Sequence, residues 1–283
     1  MMRIAFFGLG AMGASMAKRL LEAGYPVNTA IHRSRAVADV LSGIGLQVFP
    51  TFAAACMDTD VVITMLPADD QIKQVLLDEH LVRALKPGTI VIEMSSCKAS
   101  TVQEIDSVYQ PLDIQLVDAP VSGGVGGAET GTLTIFGSGS VAALDLVRPI
   151  LSILGDRIYE LGKVGNGKTY KNLNNLMAMV NMQCVAEVCQ VVRSEGIDPD
   201  LFYKVVVNSS GNSHSFQSRF KRIMEERFDP GFKISLARKD VANALEVDPS
   251  VPMPVSRLVH ELMLGLSAYD DLDTAAMIKQ FEK

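Results

Sequence analysis

The sequence predicts an α/β N-terminal domain with a mostly parallel sheet, followed by an all-α C-terminal domain. Three observations predict it. Strand-like runs alternate with helical stretches through the first half, as βαβ units do. Runs such as Val61–Met65 are apolar without alternation, as in strands covered on both faces. Beyond Gly167 no strand-like run remains, and apolar residues recur at helical spacing. In order, Arg3–Phe7 reads as a buried strand, and glycines lead into a helix over Ala11–Ala23. Val27–Ile31 is the next strand, and Val61–Met65 lies between Asp60 and Pro67. A helix covers Asp70–Leu77, and Thr89–Glu93 follows the Pro87-Gly88 turn. Thr101–Tyr109 is helical, Ile114–Asp118 is a strand, and a Gly-rich loop leads to a strand at Thr132–Phe136. Leu173, Leu176, Met177, Val180, Cys184 and Val188 then mark one long helix. Asp198 is positioned to cap the next, Pro199–Val207. Phe216–Glu226, Ser235–Glu246 and Pro254–Ser267 complete the set. The Gly162–Gly167 segment is Gly-rich, which sets the expected domains at 1–163 and 164–283.

Composition narrows the function classes. The chain has 283 residues, 26 basic and 32 acidic side chains, and a net charge of −6. No basic field exists to displace counterions from a phosphate backbone, so nucleic acid is not the expected partner. Cys56, Cys97, Cys184 and Cys189 form no C-x-x-C pair, and a chain this long needs no disulfide scaffold. His32, His80, His214 and His260 are dispersed, with no zinc-type spacing. The charge-free stretches Thr130–Leu144 and Asn172–Ala186 are too short to span a bilayer. The N-terminal apolar run is only Ile4–Phe7, so no signal peptide and no membrane partner are expected, and the cytoplasm is the default location.

Gly8-Leu9-Gly10-Ala11-Met12-Gly13 fits G-x-G-x-x-G. It directly follows a strand and opens a helix, the context in which the motif binds a dinucleotide. The first Gly makes the tight turn, the second lets backbone approach a pyrophosphate, and the third allows strand–helix packing. The first domain is therefore expected to be an NAD(P)-binding domain of Rossmann type. NAD readers place a carboxylate at the end of the second strand. Here the segment is Ile31-His32-Arg33-Ser34-Arg35, with no carboxylate before Asp39. Arg33, with Ser34 or Arg35, can pair with a 2′-phosphate. NADP is thus the expected cofactor and NAD the alternative, since Arg also stacks on adenine in either.

Four further segments act together: Ile63-Thr64-Met65-Leu66-Pro67, Asp118 to Gly124, Gly165 to Asn175, and Phe232 through Lys239-Asp240. With the Gly8–Ala17 segment, and over essentially the whole chain, they resemble the β-hydroxyacid dehydrogenase family. That family includes 3-hydroxyisobutyrate dehydrogenase and tartronate semialdehyde reductase. The resemblance implies a Rossmann domain, a helical domain, and reversible hydride transfer between NAD(P) and a short hydroxy acid. It also implies a homodimer or homotetramer. By the same resemblance Lys171 is the catalytic lysine and Asn175 its hydrogen-bonding partner. Ser122, Gly123 and Gly124 hold the substrate carboxylate. Met65, Leu66 and Pro67 form a cofactor-contacting turn, with Ala11, Met12, His32 and Ser96 also toward the cofactor. Lys239 lies near the nicotinamide end. One departure is Ser95-Ser96-Cys97-Lys98-Ala99, which keeps a hydroxyl at Ser96 but lacks the family's following proline.

The chemistry of the residues agrees with this. Oxidising an alcohol needs a base for the hydroxyl proton, and the reverse needs an acid. A lysine serves where burial or a neighbouring cation lowers its proton affinity. Lys171 and Asn175 stand at i and i+4 on one helix face, and Lys168 lies one turn earlier as a candidate cationic neighbour. Ser122-Gly123-Gly124 follows a strand end, where open α/β sheets bind ligands and backbone N–H groups can receive an anion. Asp240 is expected to support Lys171 or Lys239, and Phe232 to form an apolar wall on the substrate side. The Ser209–His214 loop is placed at the substrate entrance. Arg219, Lys221 and Arg222 cluster, but the helical period turns some of them to solvent, which favours an unphosphorylated acid. The competing reading is a non-catalytic cofactor-binding scaffold on the same fold. The presence of Lys171 and the lack of a basic tail speak against it. An imine reductase is a further alternative, but relatives of that type lack this lysine.

Overall fold

A computed structural model describes residues 1–31 and 35–281. It divides into two compact units, Met1–Lys171 and Asn172–Lys283. The division falls inside a helix, beyond the Gly-rich segment that marked the expected boundary.

The first unit begins β1 (Ile4–Phe7), α1 (Ala11–Glu22), β2 (Val27–Ala30), α2 (Ala36–Ser42), β3 (Gln47–Phe49), α3 (Phe52–Cys56) and β4 (Val61–Thr64). It continues with α4 (Asp69–Leu76), α5 (Glu79–Ala84), β5 (Ile90–Glu93), α6 (Ala99–Tyr109) and β6 (Gln115–Asp118). These six strands form one sheet in the order β3-β2-β1-β4-β5-β6, parallel throughout. The order reverses between β1 and β4, and such a switch point opens a crevice at the carboxyl ends of the strands.

Strand residues alternate faces, and both faces are covered, which is why the sequence shows unbroken apolar runs. Ile4, Phe6, Ile63 and Ile92 pack with Met16 and Leu20 of α1. Ala5, Phe7, Val62 and Val91 pack on the opposite face with Ile72, Leu76, Val102 and Ile105. Tyr109 is fully buried there and donates its hydroxyl to the Leu76 carbonyl at 2.7 Å.

The chain after Asp118 departs from the expected arrangement. β7 (Val121–Ser122), β8 (Thr134–Gly137) and β9 (Arg157–Glu160) form a separate three-stranded sheet, with β7 antiparallel to β8. The strand expected at Thr132–Phe136 is therefore not part of the main sheet. The Gly-rich stretch expected as a loop instead folds into α7 (Gly124–Thr130). α8 (Val141–Leu154) follows, opened by Ser140, whose hydroxyl accepts from the Ala143 N–H. β3 is three residues long and only partly buried, and β9 is largely exposed, so neither gives a clear apolar run. Arg19 of α1 donates to the Ile153 carbonyl at 2.8 Å and the Glu129 carbonyl at 3.1 Å, tying α1 to α8 and α7.

α9 (Asn166–Ser194) is 29 residues long and crosses from the first unit into the second. It is long and apolar enough to cross a membrane by length and composition, a property the sequence reading did not register. Half of its most apolar stretch is buried inside the protein, and Asn172, Asn175 and Gln183 are among its buried residues, as in a core helix.

The second unit adds α10 (Pro199–Val206), α11 (His214–Met224), α12 (Ile234–Leu245) and α13 (Pro254–Leu264), with 3-10 turns at Ser267–Tyr269 and Thr274–Phe281. Asp198 caps α10 by accepting from the Asp200 and Leu201 N–H groups. Met182, Ala186, Cys189, Phe220, Val241, Met263 and Met277 form its core. Asp273 is fully buried and accepts from the Gly231, Phe232 and Ala275 N–H groups. Arg219 Nε lies 2.8 Å from it, so this arginine is an internal ion-pair partner. Lys221 instead pairs with Asp200 at the surface.

Candidate active site

The carboxyl ends of β1, β4 and β5 meet around the glycine motif. Gly8 has φ +104°, and a Cβ there would stand 2.1 Å from the Met65 carbonyl oxygen. Only glycine lets these two strand ends approach so closely. Met65 N–H donates to the Phe7 carbonyl at 2.8 Å. Leu66 N–H donates to Ser95 Oγ at 2.7 Å, so the turn ending in Pro67 is bound to the segment that carries Ser96. A Cβ on Gly13 would meet the Gly8 carbonyl oxygen at 1.9 Å. A Cβ on Gly10 would meet nothing within 4 Å. α1 starts at Ala11 and Met12 with no side-chain cap and no acidic residue in its first turn. An open surface over Gly10, in front of an uncapped helix N-terminus, fits the pyrophosphate of a dinucleotide. His32, Arg33 and Ser34 lie outside the described residues.

The next segment leaves β6 at Asp118 and passes through β7. Ser122 is half-buried, and Gly123, with φ +134°, turns the chain into α7. Beneath it lies a buried charged cluster. Lys168, fully buried, places its Nζ 2.5 Å from Glu93 Oε2 and 2.9 Å from Asp118 Oδ1. It also donates to the Glu93 carbonyl at 2.9 Å. Asp118 Oδ2 accepts from Ser138 Oγ at 2.9 Å, Gly165 N at 3.1 Å and Lys168 N at 3.2 Å. Ser138 Oγ in turn accepts from Gly167 N at 3.0 Å. Glu93 Oε1 accepts from Ser95 N at 3.0 Å. Burial alone would pull the Lys168 pKa down, but the Asp118 and Glu93 charges outweigh it and hold the ammonium well above the ordinary lysine value. Burial, followed by the Glu93 charge, keeps the Cys97 thiol protonated, with a pKa well above ordinary.

This corrects the expectation for Lys168: two carboxylates neutralise it, so it offers Lys171 no uncompensated positive charge. Glu93 and Ser138 were missed by the sequence reading. The available signal was that a carboxylate ends each of two otherwise apolar strands, with a lysine in the Gly-rich turn that follows. Lys171 itself is 8% exposed and lies three residues along α9 from Lys168.

In the second unit Asn175 Nδ2 donates to Asp240 Oδ2 at 2.7 Å, and Asn174 Nδ2 donates to Asn175 Oδ1 at 3.2 Å. Asp240 is 2% exposed, and Lys239 Nζ lies 3.4 Å from its Oδ1. Asn175, Asp240 and Lys239 are thus brought together. Phe232 is half-buried against the unit's core, with its N–H fixed by Asp273 at 2.8 Å. The polar residues of the 209–214 loop have local partners. Ser213 caps α11, and Asn212 donates to the Val207 carbonyl.

Comparison with known proteins gives a consistent result. Residues 3–162 match the family described as the NAD binding domain of 6-phosphogluconate dehydrogenase. Residues 165–281 match the family described as NAD-binding of NADP-dependent 3-hydroxyisobutyrate dehydrogenase. The chain is 33% identical to 2-(hydroxymethyl)glutarate dehydrogenase of Eubacterium barkeri, over 99% of this chain and 95% of that protein. It is 31% identical to the NAD-dependent L-serine dehydrogenase of Pseudomonas aeruginosa, over 100% of this chain and 98% of that protein. Among solved structures, the Mycobacterium tuberculosis 3-hydroxyisobutyrate dehydrogenase with L-serine superposes with a TM-score of 0.91 at 28% identity, covering all of both chains. With both halves matched in order along one chain, this protein belongs to the β-hydroxyacid dehydrogenase family of NAD(P)-dependent oxidoreductases.

Proposed function

We propose that the protein interconverts a short β-hydroxy acid and its semialdehyde, with Lys171 as general acid/base and NADP preferred over NAD. The observation that carries this is Lys171 itself: a lysine nine-tenths buried on α9, one helical turn from Asn175. When bound along the Gly8–Gly13 motif, the nicotinamide cofactor would accept hydride from the carbinol carbon in oxidation and supply it to the carbonyl carbon in reduction. Lys171 Nζ, in its neutral form, takes the hydroxyl proton during oxidation and returns it during reduction. Asn175, oriented by Asp240, donates a hydrogen bond on the same helix face. The Ser122-Gly123-Gly124 backbone receives the substrate carboxylate.

The substrate class is a small unphosphorylated acid such as 3-hydroxyisobutyrate or the glycerate/tartronate semialdehyde pair. The names of the relatives support this class, and Asp273 engages Arg219, with Arg222 Nε 4.0 Å from the same carboxylate. The NADP preference rests on Arg33 and the missing carboxylate in the sequence. A homodimer or homotetramer is supported by exposed apolar residues on α13, among them Val255, Leu258 and Leu264.

The test is oxidation of NADPH and NADH against tartronate, methylmalonate and succinate semialdehydes and glyoxylate, and cofactor reduction with L-serine. Lys171→Ala is the control. Turnover that collapses in the variant supports the reading. Turnover that survives it refutes the role of Lys171, and no turnover with NADPH still bound refutes the substrate class.

A further inference from the structure

We propose that Lys168 is a positioning residue for Lys171: held between Glu93 and Asp118, it fixes the first turn of α9 against the carboxyl ends of β5 and β6. This rests on the reading of Lys171 as the acid/base. Lys168 is fully buried, with Nζ within 3 Å of three oxygens on two strands. The carboxylates it joins serve the rest of the proposed site. Glu93 Oε1 holds Ser95 N, and Ser95 Oγ holds Leu66 N in the cofactor turn. Asp118 begins the segment leading to Ser122–Gly124 and holds Gly165 N and Lys168 N at the start of α9. One buried cation therefore joins the cofactor turn, the carboxylate segment and the lysine helix.

Other side chains also face this trio. Cys97 Sγ lies 3.9 Å from Glu93 Oε2, Thr64 Oγ1 lies 3.4 Å from Glu93 Oε1, and Ser138 Oγ donates to Asp118. None is an additional cation, so the trio carries one net negative charge when all its members are ionised. That arrangement holds Lys168 protonated. It cannot accept the substrate's proton, and the two lysines on adjacent turns of α9 have separate tasks.

The experiment compares Lys168→Met, the charge-balanced Lys168→Met/Glu93→Gln and Ser138→Ala. Lys168→Met leaves two buried carboxylates without their cation. Its kcat is expected to fall roughly 100-fold, the effect of an Ångström-scale misplacement. The fall in kcat should exceed any rise in KM or in the NADPH Kd, because the misplaced group acts in the transition state. The double variant, with the native net charge, should recover about tenfold or more of the loss. An unchanged kcat in folded Lys168→Met, or no recovery in the double variant, overturns the proposal.

Should Lys168→Met not fold, Ser138→Ala removes only the hydroxyl between Gly167 N and Asp118. A several-fold fall in kcat at constant KM is then expected, and an unchanged kcat overturns the proposal. A wild-type protein that turns over none of the acids fails the functional reading and not this one. In that case hydrogen exchange decides: protection lost selectively across Gly165–Lys171 in any folded variant supports positioning, and uniform or unchanged protection overturns it.

Discussion

Gly10 and Gly13 stand three residues apart in one motif, yet a single methyl group should have opposite consequences at the two positions. At Gly13 the added carbon would lie 1.9 Å from the Gly8 carbonyl oxygen and 3.1 Å from Phe6 Cε1. Reaching ordinary 3.4 Å contact requires the oxygen to move by 3.4 − 1.9, or 1.5 Å. That oxygen belongs to the turn that also packs on Met65, so it has little room to move. Gly→Ala inside a helix ordinarily gains about 1 kcal/mol. Overpacking of this kind costs about 1–3 kcal/mol, and the backbone shift places it at the upper end. Gly13→Ala should therefore be about 1–2 kcal/mol less stable, lowering the Tm by about 2–8 °C. At Gly10 the methyl group meets no protein atom. The stability change should be about 1 kcal/mol or less, the N-cap difference between Gly and Ala. The same methyl would occupy the surface proposed for the pyrophosphate, so the NADPH Kd should rise about tenfold or more, equivalent to 1.4 kcal/mol. Thermal melts without cofactor and a fluorescence titration with NADPH give both quantities. Wild-type affinity in Gly10→Ala would refute the placement of the cofactor. Wild-type stability in Gly13→Ala would refute the packing argument.

Further outcomes follow from other parts of the molecule. Lys171→Ala should lower kcat by about 10²–10⁴-fold, the range for general acid–base catalysis, and leave NADPH affinity near wild type in the same titration. Asp273→Ala should leave Arg219 and the Gly231, Phe232 and Ala275 N–H groups without their acceptor, and lower stability by about 3–5 kcal/mol in urea melts. Burial pushes the Cys56 and Cys189 thiols up to about 12 and Cys97 well above its ordinary value, so all three stay protonated at pH 8. A thiol reagent at that pH should label the exposed Cys184 first, and the other three only after unfolding, as read by intact mass.

The legible parts of the fold were those whose signals are local. Strands β1, β4 and β5 are buried along their whole length, so their apolar runs stood out. The glycine motif showed itself by its place between a strand and a helix. β3 and β9 have exposed faces and β7 has two residues, so no periodicity marked them. The glycines of α7 resembled a loop because helix propensity is weakest there, and packing against Leu133 and α1 overrides it. In the candidate site, Lys171 and Asn175 lie on one helix, so their spacing alone puts them on one face. Lys168 was misread because its partners, Glu93 and Asp118, lie on other strands, and the sign of its environment depends on them. The adjoining Asn175–Asp240 bond links residues 65 positions apart, a pairing no local pattern could specify.

Arg19 gives the first unit a further property. Its guanidinium joins α1, whose first turn faces the proposed pyrophosphate site, to the end of α7, whose first turn begins at the proposed carboxylate segment. Two ligands would thus press on the opposite ends of one stiff linkage. Thermodynamic reciprocity then constrains the enzyme: whatever factor cofactor occupancy applies to acid affinity, acid occupancy must apply to cofactor affinity. A large factor would make the doubly occupied enzyme dominate over either singly occupied form, and shortening Arg19 to alanine should bring the two affinities closer to independence.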